Sequence, residues 1–102
     1  MGENEMTTLN NIHPGEILKE EFLMPMCISV YRLYKETGLT QTRLSQIIKG
    51  KRNITTETAL KLGKYFNVPP EFWLNLQTLY DLEEAKKIYS KEVEAITPCS
   101  VN

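Results

Sequence analysis

Five segments of helical periodicity, separated by glycine, proline and N-capping residues, constrain the fold of this 102-residue chain most strongly. In each segment apolar residues recur at the three- and four-residue spacing of an amphipathic helix, and no run alternates as a strand would. Ser29, Thr40 and Thr55 are favourable N-caps, whereas Gly38 and Gly50 suit helix C-termini. A chain of this length forms one small domain. The sequence therefore predicts an all-α fold of five helices.

Proline residues mark the first and last of these helices. Pro14 opens a helix that runs to Leu23, and the pair Pro69-Pro70 opens a long fifth helix. The third helix is expected over 41–49. The apolar side of the fifth helix is wider than one stripe, so this helix either is central to the core or meets a second chain. In the fourth helix, the residues expected to face the core are Ala59, Leu60, Leu62 and Phe66.

Residues 29–53, here called the basic island, carry a charge opposite to that of the rest of the chain. They hold six Lys and Arg residues and one acid, Glu36, which gives +5, while the whole chain has a net charge of −1. Basic charge on two helices joined by a glycine turn is typical of a DNA-binding helix–turn–helix. Glycine-linked helices also occur in bundles with no DNA function, but the segregation of charge favours DNA.

The second helix of such a motif enters the major groove with its N-terminal end. Glutamine can pair with N6 and N7 of adenine, and threonine offers a hydroxyl and a methyl group to thymine. Base reading is therefore predicted for Gln41, Thr42 and Gln46, because the apolar residues of this helix turn inward. Arg43 lies at the edge of the same face, where it either reads guanine or holds a phosphate.

A second group of residues surrounds the ends of the two helices and is expected to contact phosphates. Such contacts set the position of a protein on DNA but do not read its sequence. The predicted phosphate contacts are Ser29, Arg32, Lys49, Lys51, Arg52 and Asn53.

The remaining reactive residues indicate no enzyme, metal or cofactor site. His13 is the only histidine, and a capping or packing role is expected for it because no cysteines or acids cluster nearby. Cys27 and Cys99 are expected to be reduced thiols in the cytoplasm. No apolar run approaches the roughly 18 residues of a membrane span.

Four strings of this sequence resemble the HigA-type antitoxins, also called VapI-like, within the wider Xre class of helix–turn–helix proteins. The most specific is PPEFWLNLQTLYDL (69–82), because the wider class does not need it. The resemblance implies a lambda-repressor-like domain over 12–93 with its motif at 29–49, between a flexible segment (1–11) and a frayed tail (94–102). The other strings are HPGEILKEEFL (13–23), LSQIIKGKRNIT (44–55) and TALKLGKYF (58–66).

The resemblance also implies a function and partners. Members of the family are non-catalytic homodimers that bind a palindromic operator at their own promoter and bind a HigB-like toxin, which cleaves mRNA. Carried over by position, the base-reading residues are Gln41, Thr42, Arg43 and Gln46. The dimer contacts are Phe72, Trp73, Leu76 and Tyr80. Two other readings stay open: a stand-alone Xre-type regulator without a toxin, and a protein-interaction module that has lost DNA binding.

Two positions of the motif depart from the usual pattern. Tyr34 stands where a small residue usually allows the helices to cross closely, and Thr37 stands where an apolar residue usually precedes the turn glycine. Two outcomes follow: either Tyr34 turns outward or the helix pair packs at a wider angle. The fold is expected to survive, because Leu33, Leu39 and Leu44 still supply the core.

Overall fold

A computed structural model describes residues 11–100 of the chain, and regular structure within that range consists of helices alone. The prediction of a five-helix, all-α fold is confirmed. Of the segment predicted to be flexible, only Asn11 lies within the described residues, and its side chain donates a hydrogen bond of 2.7 Å to the carbonyl of Tyr80. The helices are α1, formed by an α-helical turn Pro14–Ile17 and a π-helical stretch Leu18–Leu23, then α2 Val30–Thr37, α3 Gln41–Ile48, α4 Thr56–Phe66 and α5 Pro70–Glu94.

The winding of α1 differs from the regular helix that the sequence predicts. The N–H of Met24 donates to the carbonyl of Lys19 at 3.0 Å, a bond to the residue five positions back. Bonds of this spacing define a π-helix, and they bring residues five apart towards one side. Leu18 and Leu23 are consequently both buried.

The core gathers one or more apolar side chains from every helix around Trp73. Its indole is fully buried and lies with its ring centre 5.0 Å from that of Phe22 and 5.1 Å from that of Phe72. Aromatic pairs at such distances add to the stabilisation from buried area. The buried apolar residues are Leu18, Leu23, Ile28, Leu33, Leu39, Leu44, Ile47, Ile54, Ala59, Leu62 and Trp73.

The structure corrects two predicted placements. Trp73 was expected to contact a second chain, but a fully buried side chain has no surface to give to a partner. Leu60 was expected in the core and is 56% exposed. The inward side of α4 is formed by Thr58, Ala59 and Leu62, and the helical spacing turns Leu60 away from them.

The turn between α2 and α3 accommodates the unusual Thr37. Gly38 has φ of 81°, the left-handed conformation expected of it. The hydroxyl of Thr37 donates to the carbonyl of Leu33 at 2.6 Å and accepts from the N–H of Leu39 at 3.1 Å. Thr37 therefore satisfies backbone groups at the end of α2, where the usual apolar residue would only fill space. Tyr34 is half-buried and packs at the edge of the core.

The backbones of α1 and α3 meet at Gly15, a position that the sequence did not single out. Gly15 is buried, and a β-carbon added to it would overlap the carbonyl oxygen of Ile47. The backbone of α1 therefore rests directly on the C-terminal end of α3. Only glycine permits this contact. The contact sets the position of α3 relative to the rest of the domain.

His13 caps the helix turn that contains this glycine, as its sequence position predicts. Its Nδ1 accepts the N–H of Gly15 at 2.9 Å, and its ring meets that of Tyr80 edge to face, with centres 4.8 Å apart. Burial lowers the pKa of His13, against a smaller opposing effect of the Asp81 carboxylate. The neutral imidazole is the form that can accept at Nδ1, so its burial favours the capping bond.

Replacing Gly15 by alanine should destabilise the domain by about 2 kcal/mol or more, because the added methyl group forces α1 and α3 apart. Gly38→Ala is the matched comparison. No atom lies within 4 Å of the place its β-carbon would take, so its cost is limited to the left-handed backbone, about 1–2 kcal/mol. Urea unfolding, followed by circular dichroism, measures the free energy of unfolding of both variants. Equal stability of Gly15→Ala and the wild type would contradict the close crossing.

Candidate nucleic-acid interface

The predicted recognition helix α3 presents its polar side to solvent at one end of the domain. The hydroxyl of Thr40 accepts the N–H of Arg43 at 3.1 Å and so caps α3, as the sequence predicts. Leu44 and Ile47 are fully buried, which fixes the rotation of the helix about its axis. The polar face of α3 is therefore directed away from the core.

The four residues predicted to read bases lie together on this outer face. Gln41 and Thr42 are exposed at the N-terminal end of α3, whereas Arg43 and Gln46 are half-buried. The exposed pair has the accessibility that a base contact requires. The other two side chains are held by partners from outside the helix.

Arg43 is held by an acid that the sequence did not assign to the site. Its Nη1 lies 3.3 Å from Oε1 of Glu57, in the first turn of α4. The second carboxylate oxygen of Glu57 lies 3.0 Å from Nζ of Lys61. These two contacts, that of Lys61 being the stronger, lower the pKa of Glu57. The carboxylate thus places the guanidinium of Arg43 between the recognition helix and the start of α4.

Gln46 is held by Arg52, which the sequence assigned to phosphate binding. Nε of Arg52 donates to Oε1 of Gln46 at 2.8 Å. The two side chains come from α3 and from the loop that follows it. A predicted base-reading residue and a predicted phosphate contact are therefore in direct contact with each other.

The other predicted phosphate contacts lie at the start of α2 and in the segment that follows α3. The hydroxyl of Ser29 accepts the N–H of Arg32 at 3.0 Å and caps α2. Nε of Arg32 lies 3.3 Å from Oε1 of Glu36, and the Tyr65 hydroxyl donates to the same oxygen. The hydrogen bond from Tyr65, followed by that from Arg32, lowers the pKa of Glu36. Lys49, Lys51 and Asn53 are exposed.

The loop that carries Lys51, Arg52 and Asn53 is anchored by a buried residue of α5. Oε1 of Gln77 accepts the N–H of Ile54 at 2.6 Å, at the end of this loop. Nε2 of Gln77 in turn donates to Asp81 at 2.9 Å. A buried amide with both ends bonded is a strong constraint on backbone position. Gln77 therefore connects the cationic loop to the long helix. A glutamine within a helix is usually exposed, so the sequence gave no sign of this role.

The start of α4 completes the surface. A groove here is lined by Arg43, Arg52, Asn53 and residues 55–58. Thr55 caps α4 by accepting the N–H of Thr58 at 3.3 Å. The first N–H groups of a helix are free to bind anions, and the helix dipole favours negative charge there. The surface thus combines helix N–H donors and the positive charge of the basic island with the carboxylate of Glu57.

The helix–turn–helix family matches residues 28–73, the part of the chain from the end of the α1–α2 loop to the start of α5. The chain is 42% identical to virulence-associated protein I of Dichelobacter nodosus over 99% of its own length and 90% of that protein. It is 36% identical to antitoxin HigA-1 of Vibrio cholerae, over 86% of this chain and 83% of the relative.

The chain belongs to the HigA family of helix–turn–helix proteins. A solved structure of the Pseudomonas aeruginosa antitoxin HigA with the higBA promoter superimposes on it with a TM-score of 0.84. That likeness covers 89% of this chain and all of the solved chain, at 36% identity. The predicted family and fold are therefore confirmed. Among the described helices, none combines the length and apolar character needed to cross a membrane.

Proposed function

We propose that this protein is an antitoxin that binds a palindromic operator at its own promoter as a homodimer, represses its own operon and neutralises a HigB-like, mRNA-cleaving toxin in the cytoplasm. One observation carries the proposal: the Pseudomonas aeruginosa HigA structure with the higBA promoter matches nearly the whole chain. No chemical step is assigned to the protein, because repression and neutralisation require binding alone.

The composition of the polar face of α3 supports binding to double-stranded DNA. Gln41 and Thr42 are exposed at the end of the helix that enters the major groove in this class of motif. Lys49 and Lys51 flank the other end of α3, and both are exposed. Base-edge donors and acceptors are thereby bordered by cations that attract phosphates, as protein–DNA interfaces require.

The exposed part of α5 supports homodimerisation. This helix of 25 residues is about 37 Å long, and its last buried residue is Gln77. Beyond that point, apolar side chains remain exposed at alternating three- and four-residue spacing, which is the pattern of a helix–helix seam. We call this set the α5 seam; it comprises Leu79, Leu82, Tyr89 and Val93, with Lys86 at the intervening position.

The α5 seam lies further along the helix than the dimer contacts carried over from the family resemblance. Of those contacts, Phe72 is 37% exposed, Leu76 and Tyr80 are half-buried, and Trp73 is buried. A second copy seated on the seam would cover apolar surface that a monomer leaves in water. Two copies related by a twofold axis would also present two α3 helices, which suits a palindromic operator.

Changing both Gln41 and Gln46 to alanine should weaken binding to a fragment of the protein's own promoter by tenfold or more. Each well-placed side chain contributes about 1–3 kcal/mol to the choice of base, and both side chains lie on the surface of α3, so the fold should persist. Fluorescence anisotropy with the promoter fragment and with a shuffled fragment measures the loss. Thr78→Ala, at an exposed position of α5, is the control. Unchanged affinity of the double variant would show that the recognition face is misassigned.

Replacing Tyr89 by glutamate should convert the protein from dimer to monomer, because a charge within the α5 seam cannot be buried without a partner. Lys91→Glu also introduces glutamate, with a change of two charge units, on the other side of the same helix turn, and it should leave the dimer intact. Sedimentation velocity at micromolar concentration measures the oligomeric state of both variants. A monomeric wild type, or two variants with the same oligomeric state, would exclude the seam as the dimer contact.

Co-expression with the product of the neighbouring gene tests the antitoxin part of the proposal. The toxin should co-purify with this chain, and growth arrest caused by the toxin alone should be relieved when the chain is present. Normal promoter binding without rescue or co-purification would identify a stand-alone regulator. Toxin binding without promoter binding would identify an interaction module that has lost its DNA-binding activity.

A further inference from the structure

We propose that Arg52 and Gln46 act as one base-reading unit that selects guanine, with Arg52 fixing the orientation of the Gln46 amide. The inference rests on the DNA binding proposed above and assigns a specificity to one pair within that surface. It differs from the roles that the two residue types suggest separately, namely a phosphate contact for Arg52 and an adenine contact for Gln46.

The chemistry of the contact determines which way the amide faces. A guanidinium group has N–H donors and no acceptor, so the atom of Gln46 that lies 2.8 Å from Nε of Arg52 is the carbonyl oxygen Oε1. The amide nitrogen Nε2 therefore occupies the other side of the group. Within residues 11–100 it makes no hydrogen bond, and it is not among the buried polar atoms that lack a partner. It is free to donate to a group outside the protein.

Arg52 is well suited to hold this orientation. Arg32 and Arg43 each contact a carboxylate, but within the described part of the chain Arg52 has only the neutral amide of Gln46 as its side-chain partner. Its charge is therefore not offset by an adjacent acid. Nε is occupied, and the terminal Nη1 and Nη2 groups of the exposed side chain remain available as donors.

The pair consequently offers donors to a base edge. To pair with adenine, a glutamine must accept from N6 with Oε1 while it donates to N7 with Nε2. The Arg52 bond takes one of the two acceptor positions of that oxygen, and the remaining N–H donors of the guanidinium find no acceptor in the N6 amino group of adenine. Guanine instead presents two acceptors, N7 and O6, to the major groove. Donors from Gln46 and Arg52 match both, which favours guanine over adenine at this position.

Selection from a library of promoter fragments, randomised across the operator and sequenced after binding, tests the assignment. The position read by Gln46 is the one whose preference disappears in Gln46→Ala. The wild type should choose guanine there. In Arg52→Ala the preference for guanine over adenine should fall by about tenfold, while preferences at the positions read by other residues should persist.

Two further variants separate a role in orientation from a role of charge. Arg52→Lys keeps the charge but lacks the planar fork of donors, so it should retain most of the affinity without restoring the preference for guanine. Lys51→Ala removes an exposed neighbouring charge and should weaken binding to all sequences alike, with the salt slope reduced by about 1. Circular dichroism confirms that each variant is folded.

The outcomes distinguish this inference from the proposed function. If the wild type selects adenine at that position, or if Arg52→Ala weakens all sequences equally as Lys51→Ala does, Arg52 is a phosphate contact and the inference is wrong, while operator binding stands. If the wild type shows no preference for its own promoter over a shuffled fragment, the proposed function itself fails. Recovery of the guanine preference in Arg52→Lys would also overturn the orienting role.

Discussion

The position of α3, and with it the proposed DNA-binding surface, depends on one backbone contact, the crossing of α1 over the end of α3 at Gly15. The absence of a side chain there lets the two backbones meet at Ile47. His13 caps the same turn through Nδ1 and is buried against Tyr80 of α5. A single short segment thus connects the recognition helix to the long C-terminal helix. A shift at this crossing would change the direction in which α3 projects from the domain, even if every residue of its outer face were kept.

The polar contacts on and beside the outer face of α3 position individual side chains and the loop that follows the helix. Glu57 holds Arg43, Arg52 holds Gln46, and Gln77 anchors the loop between α3 and α4. Exposed ion pairs contribute little to stability, so the consequence of these contacts lies in the orientation of the side chains. A side chain already held in one direction loses less conformational freedom when it binds. Under the proposed function, positions adjoining the reading face would therefore influence recognition without lying on α3.

Local signals in the sequence were sufficient to predict the helices and their boundaries. Ser29, Thr40 and Thr55 cap their helices, and Gly38 takes the positive φ that a helix end requires, because capping depends on residues only a few positions apart. Features that depend on the meeting of distant segments were not predicted: the Gly15 crossing, the contact of Arg43 with Glu57 and the burial of Trp73. An aromatic residue on a wide apolar helix suits a core and an interface equally well, and only the packing of Phe22 and Phe66 around the indole decides between them.

The first half of α5 packs in the core, whereas the second half exposes apolar side chains. Because the two roles lie on different parts of the helix, one small domain is compatible with several partners. The first half contributes Trp73 and Gln77 to the fold and is covered on its inner side. The second half buries little and exposes its apolar seam, while the basic island is gathered on α2, α3 and the loop that follows. Because the island and the α5 seam share no residue, association of two copies need not cover the reading face. Gln77 of α5 accepts the backbone N–H of Ile54 at the end of the cationic loop, so one buried side chain joins that loop to the long helix.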